Sequence, residues 1–503
     1  MLYRKSYAVP DRRHKTFIID MKPVCLLVAA SLLLSCQVVR QVEYKKSMDT
    51  PAFSKAEVVT VDALKGLDKK SVNTLDRWGG LPGVKPDEVV STNPEGFWRT
   101  GRYKGRWVMV NPDGNVTLLH GINGVIQDRG KMQNTPRTNA LYDRRFKDVS
   151  EWSRYARDLL VGKGFNFFSF NGNKELDNTE EIYNLGQEAV LSEVIIVSML
   201  KRFDRGFDQT KANVCVNLFD PDYPDYLDAR AEELAAKYGD RPHFIGYYID
   251  NEIQFRWLRD NKPGIYLKDW LSFACTPDQP RAYACARAYA QRFMRERYGV
   301  EPTVRNITPE MEDAFLQDVC EYYYRTASAA LRRHDPNHLV LGSRIHGMPQ
   351  QLPQVVSACA KYCDVVSVNL YHVWEPNDDY FIDKFKPWTA DAPKPFLISE
   401  FYTRDCTRVF DGEPYANAGE GGGWIVKGQE ARGLYYQNFT RKLISYGDCV
   451  GWQWFQFTDD DYKGYGWNNK GVIAPDYEPY EDCLRLMAQL HWNIYSILDY
   501  YFK

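Results

Sequence analysis

Phe244-Ile245-Gly246-Tyr247-Tyr248-Ile249-Asp250-Asn251-Glu252 is apolar for most of its length and then ends on three polar residues. Pro395-Phe396-Leu397-Ile398-Ser399-Glu400-Phe401 has the same form, with a lone carboxylate near its end. Burying a charge is costly, so a buried strand has no reason of its own to finish on an unpaired glutamate. Short apolar runs of this kind suit strands covered on both faces, as in a parallel sheet with crossover helices. In a barrel of such strands the polar residues at the C-terminal ends collect at one mouth. The two stretches together predict a carboxylate pair there.

The same alternation continues on both sides. Strands are expected at Val116–Asn123, Phe165–Asn171, Val194–Met199, Phe244–Glu252, Leu339–Arg344, Val365–Tyr371, Phe396–Phe401 and Val450–Phe457. Helices are expected around Trp152–Lys163, Tyr226–Tyr238, Arg281–Tyr298 and Pro309–Arg333. Eight strands separated by helices fit an α/β fold of the (β/α)8 TIM-barrel type better than an open doubly wound sheet. No Gly-rich phosphate loop follows the first strand, which counts against dinucleotide binding. A hairpin leads in: Arg106–Val110 and Val116–His120 flank Asn111-Pro112-Asp113-Gly114-Asn115, whose Pro-Asp-Gly core is turn chemistry. Residues 37–105 read as a tether and an N-terminal β-rich extension, and residues 106–503 as a catalytic barrel with insertions.

Composition narrows the class. One large barrel with insertions uses most of 503 residues, and a formal net charge of −2 offers no basic field for nucleic acid. Aromatic residues make up 14% of the chain, with 13 Trp and 34 Tyr. Flat aromatic side chains match the apolar faces of pyranose rings, although a large barrel core uses them equally well. The cysteines beyond the leader, from Cys215 to Cys483, are odd in number and lack paired zinc-like spacing. Buried free thiols are expected, with no metal and no cofactor.

The N-terminus carries a separate signal. Met21-Lys22-Pro23 leads into an apolar run from Val24 that is too short to span a bilayer comfortably and ends in Leu33-Leu34-Ser35-Cys36. This resembles the lipobox of bacterial lipoproteins, which implies lipidation of Cys36 and a membrane anchor. Residues 1–36 are then a leader and lipoprotein signal, and the polar, basic residues 1–20 point to Met21 as the true start. A plain cleaved signal or a buried apolar helix is the alternative. Gln37-Val38-Val39-Arg40 lacks the acidic run of surface-exported lipoproteins. The expectation is a cell-envelope lipoprotein of a Gram-negative bacterium, on the periplasmic face.

A carboxylate pair at a barrel mouth is what glycoside hydrolysis needs. One carboxyl gives its proton to the leaving oxygen, while the other stays ionised and attacks the anomeric carbon. Carboxyls about 5–5.5 Å apart give retention through a covalent intermediate. The structural alternative is that either glutamate merely pairs with an arginine.

Asn-Glu ending the fourth strand and Glu ending the seventh resemble the signature of the clan A glycoside hydrolases. Within that clan the chain is most similar to family fifty, the β-agarases, and next to the family forty-two β-galactosidases. The matching stretches are Trp107–Asn123, Gly164-Phe165-Asn166, Leu218-Phe219-Asp220-Pro221, Ile245–Glu252, Ile398–Phe401, Gln429–Gly433 and Gly451–Phe457. The resemblance implies Glu252 as general acid/base and Glu400 as nucleophile. It implies Asn251 as the partner of the sugar 2-hydroxyl and the nucleophile, Tyr371 as a phenol beside the nucleophile, and Trp454 as a sugar-stacking platform. For Tyr371 and Trp454 the alternative reading is a core residue. Asn123, Asn171, Arg344, His346 and His372 lie at or past strand ends and are candidates to bind hydroxyls, or scaffold. The long loop after Glu400 brings Arg404, Arg408, Tyr415 and Trp424, with Trp424 a substrate-binding candidate. Asp459-Asp460-Asp461 lacks calcium-loop spacing and reads as a solvated loop.

The chain departs from the clan at one point. The second strand ends Phe170-Asn171-Gly172-Asn173, without the arginine the clan often places beside the nucleophile, and Arg344 is the candidate replacement. The expected activity is a retaining β-glycosidase acting on β-galactosidic linkages of a galactan or agarose-type poly- or oligosaccharide. The alternatives are a glycan-binding lipoprotein without catalysis and a metal-dependent barrel hydrolase. The latter would need a His and Asp cluster that strand one, with only His120, does not offer.

Overall fold

The computed structural model describes residues 40–503 apart from 69–74, 127–135, 170–188, 204–211, 258–262, 279, 408, 411–412, 415–421 and 460–468. Cys36, Asn171, Arg408 and Tyr415 lie outside the described residues. The barrel strands are β1 (Leu119–Asn123), β2 (Phe167–Ser169), β3 (Ser192–Ile196), β4 (Phe244–Tyr248), β5 (Leu339–Val340), β6 (Val366–Asn369), β7 (Phe396–Phe401) and β8 (Cys449–Trp454). Every pairing between them is parallel. The fifth strand is interrupted: Leu339–Val340 pairs with β4, and Ile345–His346 pairs with β6. The two ends of the sheet are thus consecutive pieces of one chain segment, and the amides of Asp364 and Val365 bond to Val340 O across the gap. The (β/α)8 barrel expected from the strand pattern is what forms.

The strand ends differ from expectation in an informative way. The run Phe244–Glu252 leaves regular strand geometry after Tyr248, and the segment 339–344 breaks in two. Both departures occur at the mouth, where polar side chains are aimed rather than paired. Gly246 shows why β4 and β5 meet so closely: a Cβ there would lie 2.0 Å from Leu339 O.

One apolar cluster fills the barrel interior. It takes Leu119, Phe167, Val194, Ile245, Tyr248, Leu339, Leu341, Val365, Leu397 and Val450, so all eight strand positions contribute. Trp78, Trp98, Trp107 and Met109 join it from the segment ahead of the barrel. Each fully buried side chain of this size contributes about 2 kcal/mol. The predicted hairpin is present, with Met109 opposite Thr117 and Val110 opposite Val116, inside an antiparallel sheet that also holds Glu88–Val89 and Arg99–Tyr103.

The larger cluster lies between strands and helices. Helix Pro309–His334 illustrates the local logic. Thr308 caps it by accepting from Met311 N, Pro309 opens it, Glu310 and Glu312 occupy its first turn, and Arg332, Arg333 and His334 its last. Arg281–Tyr298 stops at Gly299 in the left-handed conformation, with φ 66°.

Residues 40–58 form two further strands. Arg40–Lys45 pairs with Ser54–Val58 on one side and with Trp424–Val426, from the loop after β7, on the other. Among the described residues, nine cysteines are free and six of these are buried. No helix among the described residues is long and apolar enough to cross a membrane.

Arg106 clamps the N-terminal sheet to the barrel. It is fully buried, donates to the carbonyls of Trp107, Ile444 and Cys449, and lies over the Phe502 ring. Arg106→Met leaves three buried carbonyls without this donor, so denaturant unfolding should show a loss of about 3 kcal/mol. Arg77→Met, which removes an exposed pair with Asp113, should change stability by less than about 1 kcal/mol.

Candidate active site

Glu252 and Glu400 meet at the C-terminal mouth. Glu400 Oε1 pairs with Arg344 Nη2, and Glu400 Oε2 accepts the Tyr371 hydroxyl. The Glu400 side chain keeps 8% of its surface exposed and that of Glu252 28%. One carboxyl is therefore embedded among fixed donors while the other opens to the cleft. Glu252 Oε1 accepts from Asn369 Nδ2 at 2.9 Å and stands 3.9 Å from His346 Nδ1.

Arg344, the candidate replacement for the clan arginine, lies beside Glu400. It comes from the broken fifth strand, is wholly buried, and uses every part of its guanidinium. Nε donates to Asn251 Oδ1 at 2.8 Å, Nη1 to Asn123 Oδ1 at 3.2 Å and Nη2 to Glu400, while Cζ lies over the Tyr248 ring, 5.0 Å from its centroid. Tyr248 in turn donates to Gln453 Oε1 at 2.7 Å. Glu252 and Arg344 both take positive φ, 56° and 51°. Non-glycine residues rarely adopt that region, and such strain gathers at functional sites.

The parity of the strands explains which side chains arrive. On β6, Ser367, Asn369 and Tyr371 alternate onto one face: Ser367 Oγ accepts from Arg344 N, Asn369 reaches Glu252, and Tyr371 reaches Glu400. On β7, Phe396, Ile398 and Phe401 join the outer cluster while Leu397 joins the interior. Strict alternation would turn Glu400 outward with Ile398. Register irregularities between Val368 and Asn369, and between Ile398 and Phe401, re-aim it into the mouth.

Burial pushes the Glu400 carboxyl above its ordinary range, and the Glu252 charge adds to this; Arg344 and the Tyr371 hydroxyl pull it back. Burial likewise raises the Tyr371 phenol, so it is a donor at any ordinary pH. Asp250 braces the end of β4: it accepts from the amides of Leu200 and Lys201 and from the Tyr323 hydroxyl, and burial carries it up to about 6.

The other candidates divide. Asn123 is buried behind Arg344, bonded to Ser399 O at 2.8 Å, and acts as scaffold rather than reaching a ligand. His346 packs edge-on against Tyr371 at 5.3 Å and lines the opening. His372 and Trp424 meet each other at 5.4 Å, and Tyr44 from the N-terminal strand meets Trp424 at 5.0 Å. Arg404 is buried and donates to Gly423 O.

The reading of Trp454 as a stacking platform is corrected. It is fully buried, packs against Phe401 and Tyr436, and donates to Lys470 O at 2.8 Å, so it has no open face for a sugar. Parity is the reason: Trp452 and Trp454 both face the helix layer, and Gln453 faces the barrel interior. The solvated-loop reading fails at Asp459, which is buried and bound by Asn469, Gly471 and Tyr480.

Asn369 and Gln453 were missed as site residues. Counting alternate positions back from Tyr371 finds the first, and taking the residue between two tryptophans as the inward one finds the second.

Comparison with known proteins agrees with this architecture. No family model matches the chain. It is 22% identical to β-agarase B of Vibrio sp. (strain JT0107) over an alignment of 493 residues that covers 80% of this chain and 48% of that protein. It is 30% identical to β-agarase A of the same strain over 277 residues, covering 50% and 27% respectively. The chain thus spans about half the length, or less, of these relatives. Among solved structures, BpGH50 superimposes with a TM-score of 0.75 at 25% identity, covering 92% of this chain and 96% of that one. The agarase AgWH50C gives 0.64 at 20% identity, covering 86% and 67%. The resemblance to family fifty read from the motifs is borne out.

Tyr371→Phe removes a donor that favours only the ionised form of Glu400. Burial already holds the Glu400 carboxyl above its ordinary range, so loss of this donor should raise it further. The acidic limb of the pH–rate profile should move upward.

Proposed function

We propose that this β-agarase-like relative of glycoside hydrolase family fifty is itself a glycoside hydrolase that cleaves β-galactosidic linkages of an agarose-type galactan or oligosaccharide. The observation that carries this reading is the unequal pair: Glu400 buried between Arg344 and Tyr371, and Glu252 open to the cleft on Asn369. A nucleophile needs fixed donors that keep it ionised and aimed. A proton donor needs access to the leaving oxygen.

The reaction we propose proceeds with retention. Glu400 attacks the anomeric carbon as Glu252 gives its proton to the glycosidic oxygen, forming a glycosyl ester on Glu400. Glu252, now a carboxylate, takes a proton from water, which attacks the same carbon and releases Glu400. Asn251 presents its amide beside the nucleophile because Arg344 holds its Oδ1; its NH2 group is the end left for the sugar 2-hydroxyl. The agarose preference rests on the relatives, both β-agarases. Glycan binding without turnover is the weaker reading, since both carboxylates keep their partners.

We also propose that the protein is anchored by a lipid on Cys36 at the periplasmic face. A Cys36→Ser variant should lose incorporation of labelled palmitate and move from the membrane to the soluble fraction. Unchanged labelling would dismiss the anchor.

For catalysis, agarose oligosaccharides and a panel of aryl β-glycosides should be hydrolysed by the wild type. Glu400→Ala and Glu252→Ala should each lower kcat by about 1,000-fold or more on unactivated substrates. Proton NMR of the first product should show the β-anomer before mutarotation. An α-anomer would replace nucleophilic attack by base-assisted attack of water, and activity surviving both substitutions would refute the site.

A further inference from the structure

We infer that Asn369 is a positioning residue that decides which oxygen of Glu252 carries the catalytic proton. This rests on the glycosidase reading above. Asn369 is fully buried on β6 and spends both ends of its amide inside the site. Nδ2 donates to Glu252 Oε1 at 2.9 Å and to Asn251 Oδ1 at 3.3 Å. Oδ1 accepts the Ser399 hydroxyl at 2.7 Å, one residue before Glu400.

Arg344 fixes the amide orientation through Asn251. Its Nε can only donate and so holds Asn251 Oδ1 as an acceptor; the end of Asn369 that faces Asn251 Oδ1 and Glu252 is therefore the donor Nδ2, and Oδ1 is left to accept the Ser399 hydroxyl. An N–H aimed at Oε1 favours an unprotonated oxygen there. The proton of the neutral carboxyl therefore sits on Oε2, the oxygen left for the leaving group. The same N–H stabilises the carboxylate that forms once the proton has gone. Because Ser399 adjoins Glu400, the aim of the proton donor is tied to the strand that carries the nucleophile.

Other groups surround Glu252. His346 stands 3.9 Å from Oε1, and the Glu400 carboxylate and Tyr371 phenol lie close enough to interact electrostatically. Arg344 reaches Asn251 Oδ1, and Lys201 Nζ reaches Asn251 O. None of these replaces the N–H that Asn369 supplies to Oε1.

The test compares the wild type, Asn369→Ala, Asn369→Asp and Ser399→Ala on phenyl and 2,4-dinitrophenyl β-galactoside. The dinitrophenolate leaves without protonation, whereas phenolate needs the acid. Asn369→Ala should lower kcat/KM for the phenyl substrate by about 100-fold and leave the dinitrophenyl substrate within about threefold. Asn369→Asp, isosteric and free of any cavity, should show the same selectivity, since its carboxylate supplies no N–H to Oε1. Ser399→Ala should give a smaller loss with the same selectivity. Equal losses on both substrates in Asn369→Asp would reduce Asn369 to a structural role and overturn the inference. A wild type that turns over neither galactoside nor agarose oligosaccharides would overturn the glycosidase reading, and this inference with it.

Discussion

The buried pair of Arg344 and Glu400 governs the arrangement of the polar groups at the barrel mouth. A guanidinium with no exposed surface must place its donors on protein acceptors, because an unmatched buried charge is far costlier than an unmatched surface one. Here Nε, Nη1 and Nη2 are placed on three acceptors from β4, β1 and β7: Asn251, Asn123 and Glu400. Each acceptor is thereby oriented. Asn251 can turn only its NH2 end outward, Asn123 is drawn back into the scaffold, and Glu400 is fixed in one rotamer with Tyr371 on its other oxygen. One arginine thus converts four strand ends, its own included, into a single rigid unit.

That unit is held in conformations the backbone does not favour. Glu252, Arg344 and His372 all sit at positive φ, each costing about 1–3 kcal/mol. The interior cluster supplies the compensation, with apolar residues from every strand and a plug of Trp78, Trp98 and Trp107 from the N-terminal segment. Asp250 adds local restraint: it ties the residues after β3 to the end of β4, so the segment leading to Glu252 cannot relax toward an ordinary strand. Stability is gathered deep in the barrel and spent at the mouth.

The fold was legible because buried parallel strands announce themselves as apolar runs, and all eight runs are strands. The two glutamates were legible because nothing structural calls for a carboxylate at the end of such a run. What failed was parity. A run of apolar residues hides which side chains face inward, so Trp454 read as a ligand platform when it packs against Phe401 and Tyr436. Asn369 escaped notice because a polar residue within a strand looks like a defect until its neighbours are placed. Glu400 itself reaches the mouth only through a register irregularity that no local pattern encodes. Arg344 was legible as a candidate at a strand end, but its reach to three acceptors depends on the break in the fifth strand.

The N-terminal strand was the least legible element, since its partner lies almost four hundred residues away. Arg40–Lys45 pairs with Trp424–Val426, and that strand continues from Gly422 and Gly423. A Cβ at Gly422 would lie 2.5 Å from the Tyr371 ring, and one at Gly423 2.7 Å from the Tyr402 ring. Gly422, in the loop after β7, is therefore pressed against the tyrosine that is bonded to Glu400, and any drift there would be felt at that bond. Two things restrain it. On one side is the ladder to the N-terminal strand, with Tyr44 stacked on Trp374 and edge-on to Trp424. On the other is the polar brace in which Asp405 and Gln429 meet Asn469, itself held by buried Asp459. A long loop alone has too much conformational freedom to keep a phenol within hydrogen-bond reach of a carboxylate. Making Trp424–Val426 an inner strand of a sheet removes that freedom, and this gives residues 40–58, remote in sequence from both glutamates, a direct part in the geometry of Glu400.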